Sequence, residues 1–278
     1  MKPRANEVVL ITGCGSGIGK AMALAFHRRG HLVCATARRL QTMEDLAREG
    51  IQTLALDVTN TSDIHRVLGQ LSLIGCTVGT LVNNAGYGAM GPLLDLPAQE
   101  WQKQFDVNVF APMTLTRAVL PSMIERRSGT IVNISSVSGV MPTPFAGAYC
   151  ASKAALNALS DSLRMELRPL GIDVVTVQPG GIQSSFGDRA ANDVNLRPAS
   201  PYQAIREGVL SRANESQSGA TPADVFANEL VRQLECSPPP AVIRLGQKST
   251  LLPFLKWALP TSWLDRILRS RFQLDRLS

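Results

Sequence analysis

Short apolar runs alternate with amphipathic stretches along the first 180 residues. Val8–Ile11, Leu32–Ala37, Ile51–Leu56, Thr80–Val82, Thr130–Ile134 and Ile172–Val177 read as buried strands. Helical patterning fills the gaps. In Gly17–Arg29 the residues Ala21, Leu24, Ala25 and Phe26 share a face, and Gly30 stops the helix. Thr42–Glu49 predicts a short helix ended by Gly50, and Thr61–Leu73 another. Glu100–Glu125 predicts a long helical region containing Pro112 and Pro121. Tyr149–Leu167 is the clearest helix, with Leu156, Leu159, Leu163 and Leu167 at three- and four-residue spacing and Pro169 and Gly171 beyond it. Strands alternating with helices imply an α/β class: one doubly wound domain whose central parallel sheet is flanked by helices.

Composition narrows the function classes. With 45% hydrophobic and 18% charged residues in 278, the chain can bury a large core, and disorder is excluded. The five cysteines (14, 34, 76, 150 and 236) include no close-spaced pair. That argues against a disulfide framework or zinc ribbon and for a reducing, cytoplasmic setting. Cys14 and Cys150 are expected as small buried apolar residues. Only His27, His31 and His65 could offer imidazole to a metal, so no metal site is expected. Val8–Ile11 is too short for a signal-peptide core. The uncharged stretch Ser128–Ser152 carries Asn133, three serines and two prolines within it and is no membrane helix. Of the net charge of +6, residues 241–278 hold +5, from seven basic and two acidic residues. The nearly neutral body gives no reason to expect nucleic-acid binding.

The candidate chemistry begins at Thr12-Gly13-Cys14-Gly15-Ser16-Gly17-Ile18-Gly19, between the first strand and the first helix. Glycines there permit a tight turn and close approach of backbone to a pyrophosphate. The helix start adds unpaired N–H groups and the positive end of a dipole. The second strand ends in Ala37-Arg38-Arg39. An acidic residue at that point would grip a ribose 2′-hydroxyl, whereas a guanidinium fork suits a 2′-phosphate. NADP(H) is therefore expected over NAD(H), in a Rossmann-type domain.

The ordered motifs make the chain resemble the short-chain dehydrogenase/reductase family over nearly its whole length to about residue 185. They are the glycine loop, Asp57-Val58 after the third strand, Asn83-Asn84-Ala85-Gly86 after the fourth, Asn108, Ser136, Tyr149 with Lys153, and Pro179-Gly180. The resemblance implies Tyr149 as acid/base, Lys153 on the nicotinamide ribose, Ser136 on the substrate oxygen and Asn108 positioning a proton-relay water. It places Asp57 and Val58 around the adenine, and Asn84, Ala85 and Gly86 beside the cofactor. Pro179, Gly180, Ile182 and Ser184 meet the nicotinamide end. Two departures stand out: Ser184 replaces a commoner threonine, and Ser16 stands where many NADP-preferring members are basic. The resemblance also implies a substrate lid at about 185–221 within a domain spanning 1–250, and a homodimer or homotetramer; the charge and apolar pattern of 251–278 reads as a basic amphipathic tail. The narrower likeness is to hydroxysteroid and retinol dehydrogenases and acyl-dihydroxyacetone-phosphate reductases.

Tyr149 and Lys153, four apart on a helix, share a face. A positive charge at about 4 Å, with an effective dielectric near 20, favours a phenolate by roughly 4 kcal/mol. That would bring a tyrosine from about 10 to near neutrality. Serine-hydrolase chemistry is disfavoured, because no Gly-x-Ser-x-Gly occurs and every histidine precedes the candidate serines. Apolar side chains in Val140–Phe145, with Tyr87 and Met90, suggest a pocket for a lipophilic alcohol or ketone, and no arginine cluster marks an anionic one. In the tail, Ser262 and Asp265 can cap a helix carrying Leu264, Ile267, Leu268 and Phe272. That helix either lies on a membrane surface or packs on its own domain or a partner subunit. The leading expectation is an NADP(H)-dependent oxidoreductase. The alternatives are a catalytically silent cofactor-binding regulator and a peripheral membrane scaffold.

Overall fold

The computed structural model describes residues 5–184, 186, 194–215 and 219–277. Its centre is a seven-stranded parallel sheet in the order β3-β2-β1-β4-β5-β6-β7. The strands are β1 (Glu7–Thr12), β2 (Leu32–Ala37), β3 (Gln52–Ala55), β4 (Thr77–Asn83), β5 (Gly129–Ile134), β6 (Ile172–Pro179) and β7 (Val242–Leu245). Helices α1 (Gly17–Arg28), α2 (Glu44–Arg48), α3 (Thr61–Leu73), α4 (Ala98–Phe105), α5 (Ala111–Arg126) and α6 (Gly147–Leu167) connect the first six strands. Then follow α7 (Arg206–Asn214), α8 (Ala223–Leu234), α9 (Leu251–Ala258) and α10 (Thr261–Arg271).

The continuous apolar strand sequences follow from burial on both faces. Side chains alternate across the sheet, so Val9 and Ile11 join a core with Met22, Phe26, Phe226 and Leu230. Val8 and Leu10 face the opposite way, toward Ile64, Leu71, Leu115 and Leu163. The strand order reverses beside β1, where β2 and β4 leave in opposite directions. Ligand crevices form outside the carboxyl ends of strands at such a switch point.

Three expectations need correction. The predicted helix over Glu100–Glu125 is two helices joined by a wide turn at Asp106–Phe110, which turns Asn108 inward to 1% exposure. β7 escapes the hydrophobic pattern because its four residues form a sheet edge, with Val242 and Arg244 exposed. The tail helix starts after Pro260, so Ser262 and Asp265 lie inside α10 and do not cap it. Asp188 and Arg189 of the expected lid lie outside the described residues.

Candidate active site

A cavity of about 1190 Å³ opens along the carboxyl ends of the strands. One end is walled by the β1–α1 loop. Gly13 is left-handed (φ +75°), and a Cβ there would stand 2.9 Å from Ala85 Cα. At Gly19 a Cβ would meet both Asn84 Nδ2 and the Gly13 carbonyl. This crowding keeps the loop tight against the β4 turn. Asn84 Nδ2 donates to the Thr12 and Gly13 carbonyls at 2.8 and 3.2 Å, and Thr12 Oγ1 accepts from the Asn84 and Ala85 amides. The first turn of α1 contains no acidic residue, and the Ser16 side chain makes no capping bond there. Its amide ends and Gly15, Ser16, Gly17, Ile18 and Gly19 therefore present a neutral-to-positive cradle to the cavity.

At the end of β2, Arg38 and Arg39 line the same wall and are exposed. Neither joins an ion pair among the described residues. Asp57 and Val58 lie beyond them. Asp57 Oδ1 accepts from the Thr59 amide at 3.0 Å and hydroxyl at 2.7 Å, which fixes that loop. The groove has the phosphate cradle and the flanking cations that suit a nicotinamide dinucleotide. Asn84, Ala85 and Gly86 form its floor, while Pro179, Gly180, Ile182 and Ser184 close its far side.

Ser136, Tyr149 and Lys153 line the deep end. Ser136 follows β5, and its Oγ accepts from the Ser138 amide at 3.0 Å. Burial pushes the Tyr149 phenol up to about 12, with the neighbouring Ser136 hydroxyl opposing the rise. Burial likewise pulls the Lys153 ammonium down to about 8. Its Nζ donates to the Ile134 carbonyl at 2.8 Å and stands 5.9 Å from the centre of the Tyr149 ring. Desolvation sets the direction of the Tyr149 shift, and the Lys153 charge expected to acidify the phenol does not outweigh it here.

Asn108 is brought near this group but does not line the cavity. Its Nδ2 donates to the Tyr87 carbonyl at 3.1 Å and to Ser152 Oγ at 3.0 Å, and its Oδ1 accepts from the Tyr87 amide at 3.2 Å. Of the expected apolar lining, Tyr87 and Met90 face the cavity, joined by Ala89, Phe186 and Val194. The Phe186 ring lies 5.5 Å from that of Tyr149. The segment Val140–Phe145 is structural instead: Met141 and Phe145 are buried, and Phe145 packs on Tyr202 and Phe272. Cys14 and Cys150 are buried, as expected.

Sequence reasoning missed Arg212, which lines the cavity from α7. Its helix lies beyond the last recognised motif, and only the fold returns it to Tyr149. Among the described residues no His/Cys/Asp/Glu group could hold a metal, and no helix is long and apolar enough to cross a membrane.

The short chain dehydrogenase family model matches residues 7–195. An NADPH-dependent 1-acyldihydroxyacetone phosphate reductase of Schizosaccharomyces pombe is 36% identical over 235 residues, covering 83% of this chain and 79% of that protein. The crystal structure of a short-chain dehydrogenase from Streptomyces avermitilis superposes with a TM-score of 0.78 at 30% identity, covering 99% of this chain and 97% of that one. A short-chain dehydrogenase/reductase from Burkholderia phymatum, solved in complex with NAD, gives a TM-score of 0.74 at 27% identity, covering 87% and 90%. With its phosphate cradle and this matched core, the chain belongs to the short-chain dehydrogenase/reductase family of nucleotide-dependent oxidoreductases acting on CH–OH groups.

Proposed function

We propose that this oxidoreductase uses NADP(H) in preference to NAD(H) to interconvert a lipophilic alcohol and its ketone or aldehyde. The observation that carries the reading is that Ser136, Tyr149 and Lys153 line the same cavity as the glycine cradle. Arg38 and Arg39, free of carboxylate partners among the described residues, support recognition of a 2′-phosphate. The apolar wall of Ala89, Met90, Phe186 and Val194 supports a lipophilic substrate.

The bound nicotinamide supplies or accepts the hydride. Ser136 holds the substrate oxygen. In reduction the Tyr149 hydroxyl donates its proton to that oxygen, and burial keeps the phenol in the acid form this step needs. In oxidation Tyr149 takes the alcohol proton, and Lys153 supplies the positive charge that favours the phenolate. Lys153 would also hold the nicotinamide ribose, beside Gly86, Pro179, Gly180, Ile182 and Ser184, with Asp57 and Val58 at the adenine. Fluorescence titration with NADPH and NADH tests the cofactor reading, and equal or NADH-favoured binding overturns it. Tyr149→Phe should lose turnover by at least about a hundredfold while still binding NADPH. Unchanged turnover would remove Tyr149 from the mechanism, and a wild-type chain that binds NADPH without turnover would be a regulator.

The tail supports a second, compatible reading as a membrane-surface element. Leu251, Phe254, Trp257, Trp263 and Ile267 are exposed, with Lys256, Arg266 and Arg269 among them. Co-sedimentation with anionic liposomes at low salt is expected, and none would overturn it. Exposed Phe110 at the start of α5 and Met165 on α6 support a homodimer or homotetramer, to be checked by light scattering.

A further inference from the structure

Arg212 is 6% exposed, yet it lines the cavity that holds Tyr149. Its Nε donates to Thr143 Oγ1 at 2.5 Å, which fixes the plane of the guanidinium. Its positive charge is felt at the Tyr149 hydroxyl, where it opposes the effect of burial. Among the described residues no carboxylate lies within ion-pair distance of it. A buried charge without a counterion is strongly disfavoured, so such a group stands ready for an anion.

The natural counterion would be Glu215, three residues further on and lining the same cavity. Glu215 is already held: Arg271 Nη2 lies 2.6 Å from its Oε1. Arg271 ends α10, and the next residue, Phe272, is 1% exposed in a cluster with Phe145, Ile205 and Val209. A Cβ at Gly208 would stand 2.3 Å from the Phe272 carbonyl, so α7 and the tail touch backbone to backbone. The tail thus braces the helix that carries Arg212 and takes away the carboxylate that would neutralise it. Facing this cation is the apolar wall of Ala89, Met90, Phe186 and Val194.

We propose that Arg212 anchors an oxyanionic group of the substrate, a carboxylate or a phosphate monoester, so that the substrate is an amphiphile with an apolar chain and an acidic group near the reacting carbon. This deepens the proposed function and rests on its placing of substrate against Tyr149.

The full-length protein, saturated with NADP+, is titrated calorimetrically with decanoate, decyl phosphate and methyl decanoate. The wild type should bind at least one of the two anions about tenfold or more tightly than the neutral ester. The preferred anion identifies the acidic group. Arg212→Met should abolish the preference and leave ester binding unchanged. Arg271→Ala, at the protein surface, frees Glu215 to pair with Arg212 and should weaken the anion alone. Adding Glu215→Ala to it should restore the anion. Absent or charge-blind binding by the wild type overturns the proposal even if Arg212→Met does not fold, as does an anion preference that survives in that variant. Arg212-dependent anion binding in a protein that reduces no lipophilic ketone with NADPH would keep the anchor and discard the proposed activity. Ketone reduction with no role for Arg212 would do the reverse.

Discussion

Asn108 Nδ2 donates to Ser152 Oγ at 3.0 Å, and Ser152 Oγ in turn donates to the Tyr149 carbonyl at 2.8 Å. The wide turn before α5 is thereby fastened to the first turns of α6, which present Tyr149 and Lys153. The same amide grips both polar groups of the Tyr87 backbone. Each of these hydrogen bonds of the Asn108 side chain is to another group of the protein. Asn108→Ala leaves buried donors and acceptors unpaired. It should lower stability by about 1–3 kcal/mol, read by chemical denaturation, and reduce kcat by misplacing Tyr149.

The Lys153 ammonium sets an alkaline signature. Its folded value of about 8 lies below its ordinary 10.5. The folded state therefore disfavours the charged form, and the cost is full below pH 8. Between about 8 and 10.5 the unfolded chain still binds the proton that the folded chain has released, so stability rises with pH. Relative to Lys153→Met, the wild type should gain on the order of 3 kcal/mol across that window. Urea denaturation of both proteins at several pH values measures it; a flat difference would show that the lysine is not desolvated as the structure implies.

In the proposed cofactor reading, Arg38 and Arg39 carry the preference for NADP(H). Arg38→Ala should weaken NADPH binding by about ten- to a hundredfold, as expected for losing a charged hydrogen-bonding partner. NADH affinity should stay constant. Parallel fluorescence titrations separate this from general damage to the groove, which would weaken both.

Gly19 has no room for a methyl group. A Cβ would lie 2.4 Å from both Asn84 Nδ2 and the Gly13 carbonyl. Gly19→Ala should cost about 1–3 kcal/mol through overpacking. It should also break the Asn84 bonds that hold the glycine loop, with loss of NADPH binding. Thermal unfolding with and without NADPH reports both effects.

Much of the fold was legible in the chain because its signals are local. Strands buried on both faces read as apolar runs, and Leu32–Ala37 and Thr61–Leu73 appear in the structure with the predicted ends. The glycine loop, Arg38, Ser136, Tyr149 and Lys153 could be picked out because each stands at a fixed step after a strand or on one helical face. Other features carried no such signal. β7 is a four-residue edge, and the turn around Asn108 interrupts a helix without any breaking residue at its own positions.

The sequence by itself determined the doubly wound sheet, the order of its motifs and the residue types available for hydride chemistry, since those depend on periodicity and neighbouring positions. The tertiary structure alone decided the electrostatics of the site. It turned Lys153 onto the Ile134 carbonyl, brought Arg212 to Tyr149 from beyond the motifs, and paired Glu215 with Arg271. Desolvation and charge pairing depend on which groups meet in space, and residues far apart along the chain supply those meetings.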